Sequence, residues 1–104
     1  MKHNIKPLSV NEAWQGKRYK TNKYRRYERE VCLVLPTNFE VPTGYLKLCL
    51  KFGFSSKNSD IDNPVKCFVD CLQKKYKFND KLIKRLFVEV EDVVKGEEFI
   101  EWEL

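Results

Sequence analysis

The stretch SDIDNPVK, Ser59 to Lys66, sets two carboxylates one residue apart, then an asparagine, a proline suited to the first turn of a helix, and a lysine. Asp60 and Asp62 repel each other when brought together, so their pairing calls for a cation. With Asn63 as a helix cap, residues 60 to 62 are extended, both carboxylates project to one side and Ile61 points to the interior. Lys66, in the first turn, leans back toward the same terminus, where backbone N–H groups favour a phosphate. Mg²⁺ is held by a few carboxylates, waters and phosphate oxygens. It would relieve the repulsion and raise the fraction of bound water that is hydroxide. The candidate third acid is Asp80 in KFNDK, the lone carboxylate of the basic stretch from Lys74 to Arg85.

The same residues have a plainer reading. Asp60 and Asp62 can cap a helix, Asp80 can open a turn, and Lys66 can pair with Asp70 at i+4 on the surface for about 0.3–0.5 kcal/mol. Distance is a further constraint. A helix from Pro64 to about Lys75 carries the chain roughly 17 Å from the acid pair. The five residues to Asp80 return only if nearly extended. The expectation is a helix that ends early or tilts under the loop, rather than an Asp80 that serves a site across subunits.

The elements that must position these groups show in the periodicity. TNKYRRYEREVCLVLP, about Lys20 to Leu35, predicts a helix with Tyr24, Tyr27, Val31 and Val34 on its core stripe and Pro36 at its end. In YLKLCLKF, Leu46, Leu48, Leu50 and Phe52 alternate as in a strand with one buried face. A second helix starts at Pro64 and buries Val65, Phe68, Val69 and Leu72. RLFVEVEDVV, Arg85 to Val94, reads as a strand. FIEWEL, alternating Ile100, Trp102 and Leu104 with acids, gives the last one. His3 to Lys6 is a candidate short strand, followed by PLSVNEAWQG as a turn or loop. The predicted fold is α+β: a small mixed, mostly antiparallel sheet with two principal helices packed on it.

The 104 residues are enough for one domain, 1–104, with a modest core that self-association would help to cover. A 42% hydrophobic and 13% aromatic content argues against disorder. No apolar run is long enough for a membrane span and the polar start MKHNIKP has no signal-peptide core, so the expectation is a soluble, cytoplasmic protein without a membrane partner. Cys32, Cys49, Cys67 and Cys71 form no CxxC pair, and buried reduced thiols are the expected state.

The formal charge of +5 is unevenly spread. GKRYKTNKYRRYER, Gly16 to Arg29, interleaves basic residues with tyrosines, whereas the tail from Glu89 carries seven acids against Lys95 alone. Basic side chains neutralise phosphates and exposed tyrosines stack on bases, so the segment is a candidate nucleic-acid contact. Lys17, Arg18, Lys20, Lys23 and Arg25 are its leading DNA-binding candidates. Tyr24, Tyr27 and Trp14 fit the core better.

DIDNPVKCFVDCL followed by ND resembles the RusA family of Holliday junction resolvases, with its Asp-x-Asp-Asn, a lysine four residues on, an aspartate four further and a later acidic pair. PLSVNEAW is similar to the family's amino-terminal segment. The resemblance spans roughly Ile5 to Glu91. It implies a homodimeric, Mg²⁺-dependent endodeoxyribonuclease, with Mn²⁺ as a substitute, that resolves four-way junctions by paired symmetrical nicks in DNA recombination and repair. Asp60, Asp62 and Asp80 match the catalytic and metal-holding acids, and Lys66 the functional lysine. There are departures: Asn79 replaces the first acid of the later pair, YKF replaces small residues, and Ser59 stands where a base is common, which leaves that junction contact to Lys57. The alternative is a non-catalytic DNA-binding protein that uses the segment from Gly16 to Arg29.

Overall fold

A computed structural model of the chain describes residues 1–15, 19–56 and 60–104. Lys17, Arg18, Lys57 and Ser59, singled out above, lie outside the described residues. In chain order the elements are β1 (Lys2–His3), α1 (Val10–Ala13), β2 (Trp14–Gln15), β3 (Tyr19–Lys20), α2 (Asn22–Val34), β4 (Leu46–Phe54), α3 (Val65–Tyr76), a 3₁₀ turn (Asp80–Leu82), β5 (Ile83–Asp92) and β6 (Phe99–Glu103).

The main sheet has the order β1-β6-β4-β5. The β1–β6 and β6–β4 pairs are antiparallel and β4–β5 is parallel, so the sheet is mixed and mostly antiparallel as expected. A parallel pair needs a crossover, and α3 supplies it between β4 and β5. The central β4 buries Leu46, Leu48, Leu50, Phe52 and Phe54. Gly53 lets β6 close on it, because a Cβ there would stand 2.3 Å from the Phe99 ring.

Both principal helices carry their predicted stripes inward, with two exceptions. Tyr24, Tyr27 and Val31 of α2 and Phe68, Val69 and Leu72 of α3 are buried, but Val65 is only partly buried and Val34 is exposed. Val34 sits at the last turn of α2, where Leu35 has taken its place in the core. Thr21 caps α2, its hydroxyl accepting from the Tyr24 N–H at 3.1 Å. The segment read as a turn or loop, PLSVNEAWQG, contains the short α1, capped by Ser9, and the strand β2, which pairs with β3 beyond it. Trp14 is only partly buried and packs edge-on against Tyr24, with ring centroids 5.6 Å apart. At the amino end the paired strand is Lys2–His3 rather than His3 to Lys6. The four cysteines are free, with Cys67 and Cys71 buried. Burial raises the Cys67 thiol to about 11, so it is not a reactive thiolate at neutral pH.

Candidate active site

The start of α3 departs from the expected geometry. Residues 61 to 64 form turns, with the Asn63 N–H donating to the Asp60 carbonyl at 3.2 Å and the Val65 N–H to the Asp62 carbonyl at 3.2 Å. Pro64, not Asn63, occupies the capping position and no side chain caps the helix. The turn preference of Asp, Asn and Pro in sequence prevails over an extended approach. A long-range bond holds it, because the Asn63 carbonyl accepts from the Val10 N–H at 2.9 Å. Ile61 is therefore not interior: it is 52% exposed.

That turn and α3 border one side of an open groove of about 500 Å³, and the strand β5 borders the other. Asp62, Lys66 and Asp80 all line it, joined by Lys84 and Arg85. Its floor is apolar, from Ile61, Val65, Val69, Ile83, Leu86 and Val88. Asp60 is exposed and does not line the groove. Among the described residues, no three acids, histidines or cysteines are assembled into a set that could hold a metal ion. The expected triad of Asp60, Asp62 and Asp80 is thus brought together only as the pair Asp62 and Asp80.

The distance problem for Asp80 is solved by a reversal of the chain. The helix does not end early. Lys77, in the left-handed region at φ 58°, stops α3, and its N–H donates to the Gln73 carbonyl at 2.8 Å. The chain then doubles back, and the Gln73 side-chain carbonyl accepts from the Asp80 N–H at 3.1 Å. Asn79 caps the 3₁₀ turn by accepting from the Lys81 N–H at 2.9 Å, so this departure from the expected acid has a local structural use.

Lys66 donates to Asp70 at 3.0 Å, the i+4 pair foreseen in the sequence. That hydrogen bond, opposed by partial desolvation and aided by the charges of Asp70 and Asp80, raises the Lys66 pKa. Lys66 is therefore paired on the helix and also lines the groove. Asp70 is itself held from the side, by the Tyr24 hydroxyl at 3.2 Å and the Gln73 amide at 3.4 Å. Asp60, Asp62 and Asp80 have no ion-pair partner among the described residues. Two acids beside a cation on an apolar floor, Asp62 exposed and Asp80 half-buried, suit a phosphodiester and the cation that would accompany it.

The family model of endodeoxyribonuclease RusA matches residues 5–101, nearly the whole chain. The chain belongs to the RusA family. It is therefore placed among nucleases that cut within DNA. No curated protein matches it. In this RusA-family chain the basic candidates divide by their partners. Lys20 donates to both carboxylate oxygens of buried Glu28, at 3.0 and 3.1 Å, and Lys23 pairs with Glu12. Arg25 is exposed and has no ion pair among the described residues.

Sequence reasoning missed the wall contributed by β5 and the supports Tyr24 and Gln73. Lys84 and Arg85 did carry a signal, as bases at the head of an apolar strand just after Asp80. Tyr24 and Gln73 carried none, since their partners are remote in sequence or on a reversed chain.

Proposed function

We propose that this RusA-family chain is a metal-dependent endodeoxyribonuclease that resolves four-way DNA junctions by paired nicks, in recombination and repair, acting as a homodimer. The observation that carries the reading is the groove in which Asp62, Lys66 and Asp80 converge from a turn, a helix and a reversed loop. Mg²⁺ commonly uses only one or two carboxylates and takes its other ligands from water and substrate phosphate. Asp62 and Asp80 fit that role, and Asp60 is one residue away in the same turn. A divalent cation held there supplies positive charge to the phosphate and acidifies a bound water. The ammonium of Lys66 would neutralise charge on the scissile phosphate. The deciding experiment incubates a synthetic four-way junction and a matched linear duplex with Mg²⁺, with Mn²⁺ or with chelator. Symmetrical nicks in the junction alone, lost with chelator, are expected.

A second reading rests on the incomplete acid set: a DNA-binding protein that does not cut. It expects tight junction binding, indifferent to metal, and intact strands.

The homodimer is supported by the strand β5, an edge of the sheet with Leu86 49% and Phe87 50% exposed. A long apolar edge invites another strand. Its charges are segregated, Lys84 and Arg85 first and Glu89, Glu91 and Asp92 last. Antiparallel pairing with a second copy about Val88 sets Lys84 opposite Asp92, Arg85 opposite Glu91 and Leu86 opposite Val90, a self-complementary register of the kind a two-fold axis requires. Because Lys84 and Arg85 line the groove, each copy would bring acids to the rim of the other's site. Light scattering should give twice the chain mass. K84E/R85E and E91K/D92K should each be monomeric, and mixing them should restore the dimer. A wild-type monomer both free and on DNA would remove this mode.

A further inference from the structure

A second groove, of about 590 Å³, lies between α2 and α3 on the side of the helix pair away from β5, bordered by Arg25, Arg29, Lys74 and Lys75. Its carboxylate, Glu28, is only 7% exposed and already held: Lys20 takes both oxygens and Lys74 stands 3.8 Å away. Lys75 donates to the Cys32 carbonyl at 3.0 Å. Arg25 and Arg29 have no ion-pair partner among the described residues. Four cations therefore face one neutralised acid. So many like charges in one concave surface repel each other unless a polyanion sits among them.

We infer that this groove is a track for the phosphate backbone of one DNA arm leaving the active site, an inference that rests on the nuclease reading above. Three observations favour a nucleic-acid strand over an acidic protein. Both grooves are lined by α3, which is tied to α2 by the Tyr24–Asp70 hydrogen bond and the Glu28–Lys74 contact. From Lys66, at the catalytic groove, to Lys74 is eight residues of one helix, roughly 12 Å, a span of a few nucleotides. Arg25 and Arg29 are one turn apart, roughly 6 Å along the axis, a spacing comparable to that of successive phosphates on a strand. Their guanidinium forks also match phosphate geometry.

The test is the salt dependence of junction binding, measured by fluorescence anisotropy on the full chain with Ca²⁺ in place of Mg²⁺. Each phosphate contact contributes about 0.9 to the slope of log affinity against log salt. The double variant R25Q/R29Q is expected to lower the slope by about 2, and adding K75Q by about 3 in all. K95Q, in the turn before β6, should leave it unchanged. Melting temperatures guard against misfolding, and the arginine pair decides the matter if loss of the Lys75 bond to Cys32 lowers stability. A slope in R25Q/R29Q equal to that of wild type, in a protein that still nicks junctions, would overturn the track. A wild-type protein that binds junctions without cutting, with the slope still reduced in the variants, would instead sink the nuclease reading and leave the track standing.

Discussion

Glu28, on α2, and Asp62, on the turn before α3, are both carboxylates, yet they are treated in opposite ways. Glu28 is buried and clasped by Lys20, with Lys74 nearby, so that its charge joins the β2–β3 hairpin, α2 and α3. Asp62 is exposed on a turn, lines an open groove and has no cation partner among the described residues. A buried carboxylate without a partner is costly, so Glu28 holds its lysines for the fold. An exposed one tolerates a vacant partner position, which is what a site for a transient cation and phosphate requires. The contrast separates acids that stabilise from acids that are free to act.

Asp62→Asn should have the largest effect on this contrast. Loss of a metal-holding acid costs several kcal/mol of transition-state stabilisation, so junction cleavage should fall by at least about 10³-fold while junction binding and melting temperature stay near wild type. Single-turnover cleavage at the wild-type rate would remove Asp62 from the mechanism. Lys66→Ala comes next, with an expected loss of about 10²–10³ in single-turnover rate at saturating protein. Its exposed pair with Asp70 is worth no more than about 0.5 kcal/mol, so folding should survive. Cleavage within a few-fold of wild type would return Lys66 to a purely surface role.

Glu28→Gln tests the other side. It should lower folding stability by about 1–3 kcal/mol, the range for charge-assisted hydrogen bonds that lose their charge. Denaturant titration checks this, and an unchanged midpoint would mean that the clasp does not stabilise the helix pair. The smallest effect is expected from Asp70→Asn. The hydrogen bond to Asp70 is the main reason that Lys66 holds its proton to higher pH. Without that charge the ammonium deprotonates at lower pH, so the alkaline limb of the cleavage profile should move down while the rate near neutrality changes only a few-fold. A limb that stays in place would show that Lys66 protonation does not limit the reaction.

Much of this protein is legible in its sequence, because periodicity is a local property. The alternation in LKLCLKF and the stripe of Tyr24, Tyr27 and Val31 follow from which side chains leave water, and both lie where the pattern put them. The ordered motif from Asp60 to Asp80 was enough to point to the RusA family, and the i+4 pair of Lys66 and Asp70 follows from helix geometry alone. Tertiary structure decided the arrangement of the acids. Whether Asp60 and Asp62 are extended or turned depends on a bond from Val10, more than fifty residues earlier. Asp80 reaches the groove because Lys77 adopts a left-handed conformation and Gln73 holds the returning chain. The bare edge of β5 exists because β4 accepts it in parallel on one side only. Spacing along a chain governs which neighbours share a face. It does not govern which distant segments supply the hydrogen bonds that turn a loop, and those bonds decide which carboxylates meet.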